Sequence, residues 1–263
     1  MKQDVTMGRR TQAEMPFLDH LEELRSRLIW SVLALLVGLV LGLISVAEFN
    51  VLEIVEAPIR DLLPNESLSF TSPVTPFFIT LKLGFIVGLI LAFPMLLYQA
   101  WHFLAPALYE NERRFLVPSI AAGTLLFLAG VAMAYFFVLP FGLKILLGFY
   151  SEQLTPVIMI GEYLNFATKL ILAFGLIFEM PVILVFLSLL GVVTPEGMSK
   201  YRRHAIVAMA VVSAFLTPAD PYTMLAMMAP MIVLYELSIV IAKVLRSRRN
   251  ERTAIIHSEG STD

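Results

Sequence analysis

Of the chain's 263 residues, 58% are hydrophobic and only 15% charged, a balance far from that of a soluble domain, which points to an integral membrane protein. The absence of cysteine excludes disulfides, thiolate metal sites and a thiol nucleophile. The net charge of −2 carries little, because in a membrane protein the distribution of charge is what informs.

Six stretches approach the roughly 20 apolar residues that a bilayer core requires. They fall at about 28–46, 76–101, 115–140, 163–190, 205–217 and 222–242. The expected architecture is therefore all-α, one transmembrane domain over 1–245, followed by a basic and then polar tail, 246–263, expected to be disordered. The small-x-small triplet at Ser45–Ala47 resembles a cleavage site. The apolar run before it, roughly 17 residues, is longer than the 7–15 of a signal core and follows a long charged helix, so a retained anchor is expected.

Basic residues set the orientation. Of 19 Lys and Arg, only Arg60 and Lys144 fall on one side, while Lys82 and Lys169 lie inside spans and the rest share the other side with both termini. By the positive-inside rule both termini are cytoplasmic. The first outer loop is acidic, with Glu48, Glu53, Glu56, Asp61 and Glu66 against Arg60. Its apolar residues Phe49, Leu52, Val55, Ile59 and Leu62 recur at near-helical spacing broken by Pro58. The pattern predicts a short amphipathic element on the outer membrane surface.

The fifth stretch, 205–217, is 13 residues, or about 20 Å of helix against roughly 30 Å of hydrocarbon. With the tight link "TPADP" it forms a hairpin that cannot cross an undistorted bilayer, so the membrane is thinned there or another protein shields it. No hydropathy symmetry relates the two halves, which gives no support to an inverted-repeat transporter.

Polar groups remain to be explained. In 16–28, "PFLDHLEELRSRL", an apolar stripe runs beside Glu22–Arg25 and Glu23–Arg27, which can pair at helical spacing. The turn 100–115, "AWHFLAPALYENERRF", offers Glu110 and Glu112 beside Arg113 and Arg114, with Trp101, Phe103 and Tyr109 suited to the interface. Carboxylates presented at the membrane surface and a charged turn anchored by aromatics both fit it.

Pro94, Pro181 and Pro230 lie within spans and predict kinks. Glu179 sits two residues before Pro181 near mid-membrane, where a carboxyl faces protein or a wet cavity and not lipid. Lys169, about 15 Å away along the helix, is too far to bridge to it. Lys169 and Lys82 can instead extend toward the outer surface.

His20, His102, His204 and His257 lie near helix ends or in the tail, none three or four residues from another, so no metal site is expected. Nucleotide-binding, serine-elbow and zincin motifs are missing, and the expectation is a non-enzyme without cofactors. A proton-coupled secondary transporter using Glu179 is the alternative open on these residues.

The motifs "HLEELRSRL", "SPVTPFFITLKL", "AFPMLLYQAWHFLAPALYENERR", "FGLIFEMPV" and "LTPADP", in this order and from about Pro16 to Lys243, resemble the TatC family. That family is the multispanning receptor subunit of the twin-arginine protein translocase. The resemblance implies a glove-like, concave six-helix bundle with short fifth and sixth spans in the cytoplasmic (inner) membrane. It further implies export of folded proteins driven by the proton-motive force, and recognition of signal peptides with two consecutive arginines.

Implied partners are single-span TatA/TatB-type subunits, the cargo's signal peptides, the lipid bilayer and further copies in a larger complex, with no nucleic acid. For signal-peptide binding the resemblance implies Glu23 and Glu112, with Arg25 and Phe103 beside them. For intramembrane docking of partner helices it implies Glu179, Asp220, Thr223 and Met224, and Pro58 and Pro94 fall on sensitive positions beside the kink at Pro181. Many relatives have glutamine at the position of Met224, so a contact through that amide is not implied here.

Overall fold

The computed structural model of the chain describes residues 17–60, 62–63, 68–104, 116–148, 157–217 and 221–259. Among these it is all-helical: α1 (Phe17–Glu48), α2 (Val51–Arg60), α3 (Thr75–Leu104), α4 (Leu116–Met133), a π-helical turn (Ala134–Val138), α5 (Leu139–Gly148), α6 (Ile160–Phe178), α7 (Met180–Leu189), α8 (Pro195–Lys200), α9 (Arg202–Leu216) and α10 (Pro221–Glu259). An isolated bridge, Ser69 to Met159, is the nearest thing to a strand in the described residues.

Five stretches are long and apolar enough to cross a membrane: Leu21–Glu48, Thr75–Phe103, Val117–Gly148, Ile160–Leu189 and Pro221–Ser247. The remaining expected span falls on α9, whose 15 residues rise only about 22 Å. The third span is longer than its pattern suggested, because α4, the π-helical turn and α5 continue one another to Gly148. The disorder expected of the tail is corrected over 246–259, which continue α10 as helix. The Arg and Glu residues of that stretch are good helix formers.

With lipid on every side, helices gain little from the hydrophobic effect on meeting one another, so close backbone approach does the packing. The pair α1·α3 shows it. Gly38 and Gly42 on α1 meet Gly84 and Gly88 on α3 so closely that a Cβ on Gly42 would lie 2.1 Å from the Gly84 carbonyl oxygen. Both are small-xxx-small pairs at a four-residue spacing, and any larger side chain would push the helices apart. The outer face of α1 is left for lipid, with Leu28, Leu36 and Val40 each more than half exposed.

The interior is built around α6. Phe127 of α4 stacks on Phe93 of α3 with ring centroids 3.5 Å apart. Gly175 of α6 leaves room for the Phe127 ring, and Gly130 of α4 lies under the Phe174 carbonyl. At the other end of the bundle, Thr194 accepts from the Gly197 amide at 3.0 Å and starts α8. Tyr235 donates to the Met198 carbonyl at 3.0 Å, tying α8 to α10, and Arg202 pairs with Glu236 at 2.8 Å.

Of the three expected proline kinks, Pro94 and Pro230 lie inside uninterrupted helices, whereas Pro181 marks a break. Residue 179 is a turn between α6 and α7. The helix broken at Pro58 is also corrected, since α2 runs through it to Arg60.

Candidate functional site

The first group forms where the start of α1 lies beside the end of α3. Glu23 accepts from Arg27 Nη2 at 3.2 Å, and Arg27 Nη1 donates to Gln99 Oε1 of α3 at 3.3 Å. The predicted i,i+4 pair is therefore formed, while Glu22 and Arg25 do not pair and both are exposed. The side chains of Arg27 and Glu23 remain 28% and 22% accessible, so the carboxylate is held but reachable. Gln99 is buried.

The antiparallel pairs 27 with 99, 38 with 88 and 42 with 84 step together. One further turn sets Phe103 level with Glu23. Below it, Trp101 packs edge-on against Phe186 of α7 with centroids 4.5 Å apart. Glu112 lies outside the described residues. Sequence reading passed over Gln99, whose only signal is an amide in an apolar run, and treated Arg27 merely as the partner of Glu23.

The second group centres on Glu179, which is buried, with no hydrogen-bond partner on either carboxyl oxygen among the described residues. Its amide closes onto the Leu176 carbonyl at 3.1 Å, and its carbonyl accepts the Ile183 amide at 3.0 Å, so it both ends α6 and starts α7. Pro181, lacking an N–H, is tolerated in the first turn of α7. The carboxyl projects to Gly123 of α4, where an added Cβ would lie 2.8 Å from Oε2 and 2.6 Å from Leu97 Cδ2. Gly123 is thus the second half of this site, and composition gives no hint of it.

Thr223 is buried and Met224 half-buried on α10. An added Cβ at Gly142 would lie 3.6 Å from Thr223 Cγ2. Gly142 and Gly123 are 19 positions apart on the third span, about 28 Å of helical rise. Glu179 and Thr223 therefore occupy two levels of the bundle and not one cluster. Asp220 lies outside the described residues.

The third group explains Pro58. A proline inside a helix leaves the carbonyl four residues back without a donor and crowds the turn before it. Here Tyr135 of the π-helical turn donates to the Ile54 carbonyl at 2.6 Å, and Tyr163 of α6 donates to that of Val55. π-helical turns recur at functional positions, and this one carries Tyr135. Instead of lying only on a membrane surface, α2 buries Ile59 in the core beside Leu139 and Leu143. Burial raises the Glu56 carboxyl above the ordinary range, against the lowering by Arg60 and with a further rise from Glu53.

The lysines inside spans do not simply extend outward. Lys82 of α3 donates to Asn165 of α6, and Lys169 of α6 donates to the Phe215 carbonyl of α9 at 3.1 Å. No group of three or more His, Asp or Glu among the described residues is arranged to hold a metal ion.

Residues 19–230 match the family model of the Sec-independent protein translocase protein TatC. The chain is 41% identical over 239 residues to that protein from Aquifex aeolicus, covering 90% of this chain and 98% of the relative. It is 38% identical over 229 residues to that of Escherichia coli K12, covering 87% and 88%. A crystal structure of a twin-arginine translocase receptor, TatC, in DDM superposes with a TM-score of 0.78 at 41% identity, covering 85% of this chain and 99% of that one. A second crystal structure of that receptor gives 0.76 at 42% identity, covering 86% and 98%. With five apolar membrane-crossing helices and these matches over most of its length, the chain is a multi-pass membrane protein and belongs to the TatC family of Sec-independent protein translocase proteins.

Proposed function

We propose that the protein is the receptor subunit of a twin-arginine translocase. It lies in the inner membrane with six spans, α9 counting as a short fifth, in a concave bundle with both termini cytoplasmic. The domain ends near residue 245. Together with single-span TatA/TatB-type subunits and further copies of itself, it exports folded proteins using the proton-motive force. The observation that carries the reading is the Glu23 carboxylate, held by Arg27, which is itself anchored on Gln99, yet accessible, beside the end of α3 that bears Phe103.

A guanidinium pair on a signal peptide requires such acceptors, because planar two-point hydrogen bonding to carboxylate is what arginine offers beyond charge. Glu23 and Glu112 are the proposed acceptors, with Arg25 and Phe103 flanking them. Glu179, Asp220, Thr223 and Met224 are proposed to meet partner helices at two membrane levels, while Pro58, Pro94 and Pro181 shape the bundle.

Site-specific crosslinking of an Arg-Arg signal peptide tests the reading. Glu23→Ala, Glu23→Lys and the same exchanges at Glu112 should each reduce crosslinks while the protein stays inserted. Unchanged crosslinking in all of them removes these residues from the binding site. The buried carboxyl of Glu179, without a hydrogen-bond partner among the described residues, favours a second reading, a proton-coupled secondary transporter. Solute uptake coupled to protons by the purified protein alone in liposomes would establish it.

A further inference from the structure

The end of α9 poses a problem that lipid makes acute. The last four carbonyls of a helix have no intrahelical donors, and in hydrocarbon each unsatisfied group costs several kcal/mol. As the proposed fifth span, α9 is about 8 Å shorter than the hydrocarbon is thick, so one of its ends lies within it.

Donors for that end are built into the fold. The Ser213 carbonyl accepts from both the amide and the hydroxyl of Thr217, each at 3.0 Å. The Phe215 carbonyl accepts from Lys169 Nζ of α6 at 3.1 Å. An ammonium is the favoured group here, because the C-terminus of a helix carries the negative end of its dipole. Lys169 lies nine positions inside the start of α6 at Ile160, about 13 Å of rise, and its side chain leans back toward that start. The start itself is pinned by the Ile160 amide donating to the Ser69 carbonyl at 2.9 Å.

Asn165, one turn before Lys169 on the same face of α6, receives Lys82 of α3. A polar seam therefore runs from α3 through α6 to the end of α9.

We propose that Lys169 is a positioning residue that sets how deep in the bilayer the α9–α10 hairpin ends, by capping the C-terminus of α9 from the fourth span. The end of α9 is held short of the outer end of α6, with Val207, Val211 and Phe215 exposed along it. This rests on the proposed six-span orientation, in which the start of α6 faces outward.

Because the chain has no cysteine, single cysteines report depth directly. Phe215→Cys is labelled with a membrane-impermeant maleimide from the outer side of vesicles, in the parent, Lys169→Met and Lys169→Arg backgrounds. Phe77→Cys at the outer start of α3 serves as control. Losing the donor should let the α9 end rise toward water, so Lys169→Met should label about tenfold faster, the size expected for losing one charge-assisted bond. Lys169→Arg should label as the parent, and the Phe77→Cys rate should not change. Equal or slower labelling in Lys169→Met, or the same acceleration in Lys169→Arg, overturns the proposal. If Lys169→Met does not accumulate, Lys169→Gln carries the same comparison with an intermediate rate expected, and a parental rate overturning it. Labelling of Phe77→Cys from the opposite face would refute the orientation, separately from the cap, and the depth comparison is then read from that face.

Discussion

Glu179, at the α6–α7 turn, and Gly123 of α4 share one volume, the carboxyl of one filling the space left by the missing side chain of the other, with only 2.8 Å between Oε2 and a hypothetical Cβ. Gly123→Ala should destabilise the purified protein by about 1–3 kcal/mol through overpacking, read as a drop in its thermal unfolding midpoint. Combining it with Glu179→Ala should recover part of that loss, because the two changes touch the same space. Strictly additive losses would mean that Leu97, 2.6 Å from the same Cβ, carries the clash alone.

A buried carboxyl without a partner is costly, so its retention calls for a use beyond packing. Glu179→Leu should leave thermal stability equal or higher, while transport of a folded twin-arginine cargo falls at least about tenfold. Full transport would return Glu179 to a packing role. Transport lost together with stability would show that the carboxyl holds the α6–α7 junction.

Tyr135→Phe and Tyr163→Phe each remove a hydroxyl from a carbonyl of α2 and should cost about 1 kcal/mol, measured by thermal unfolding. Pro58→Ala restores an intrahelical donor for the Ile54 carbonyl. In that background Tyr135→Phe should cost less than in the parent, and an unchanged cost would show that the hydroxyl does not serve the carbonyl freed by Pro58.

The raised carboxyl of Glu56 gives α2 a pH dependence of definite sign. The folded state holds this proton to higher pH than the unfolded chain does, so Glu56 costs stability as pH rises through its raised range and costs nothing below the ordinary carboxylate range. Glu56→Gln should therefore stabilise the protein at neutral pH, with the difference vanishing on acidification. A difference that grows on acidification would reverse the assignment.

Much of this was legible in the sequence because lipid imposes long apolar helices, and those helices are the strongest signal a chain can carry. Glu179 and Pro181 stood out as polar and helix-breaking features in such a run, and the structure turns the chain there. The i,i+4 pairing of Glu23 with Arg27 followed from spacing alone. What stayed hidden depends on which faces of different helices meet. Gly123 is one glycine among 14 until α4 is laid against Glu179. Nothing in the sequence marks Tyr135 and Tyr163 as reaching α2 across the bundle. Lys169 looked free to extend outward, and only the short reach of α9 gives it a carbonyl to hold. The glycine pairs of α1 and α3 were readable at their four-residue spacing and were missed, since a single small-xxx-small match says nothing about its partner.

The central claim is that Glu23 recognises paired arginines, and a binding cycle tests it most directly. Affinity is measured for a signal peptide with Arg-Arg and for the same peptide with Lys-Lys, on the parent and on Glu23→Gln. The account predicts that Glu23→Gln weakens the Arg-Arg peptide about tenfold and narrows the preference for arginine over lysine, since a neutral amide no longer offers two charged acceptors. Equal Arg-Arg affinity and an undiminished preference in Glu23→Gln would contradict it.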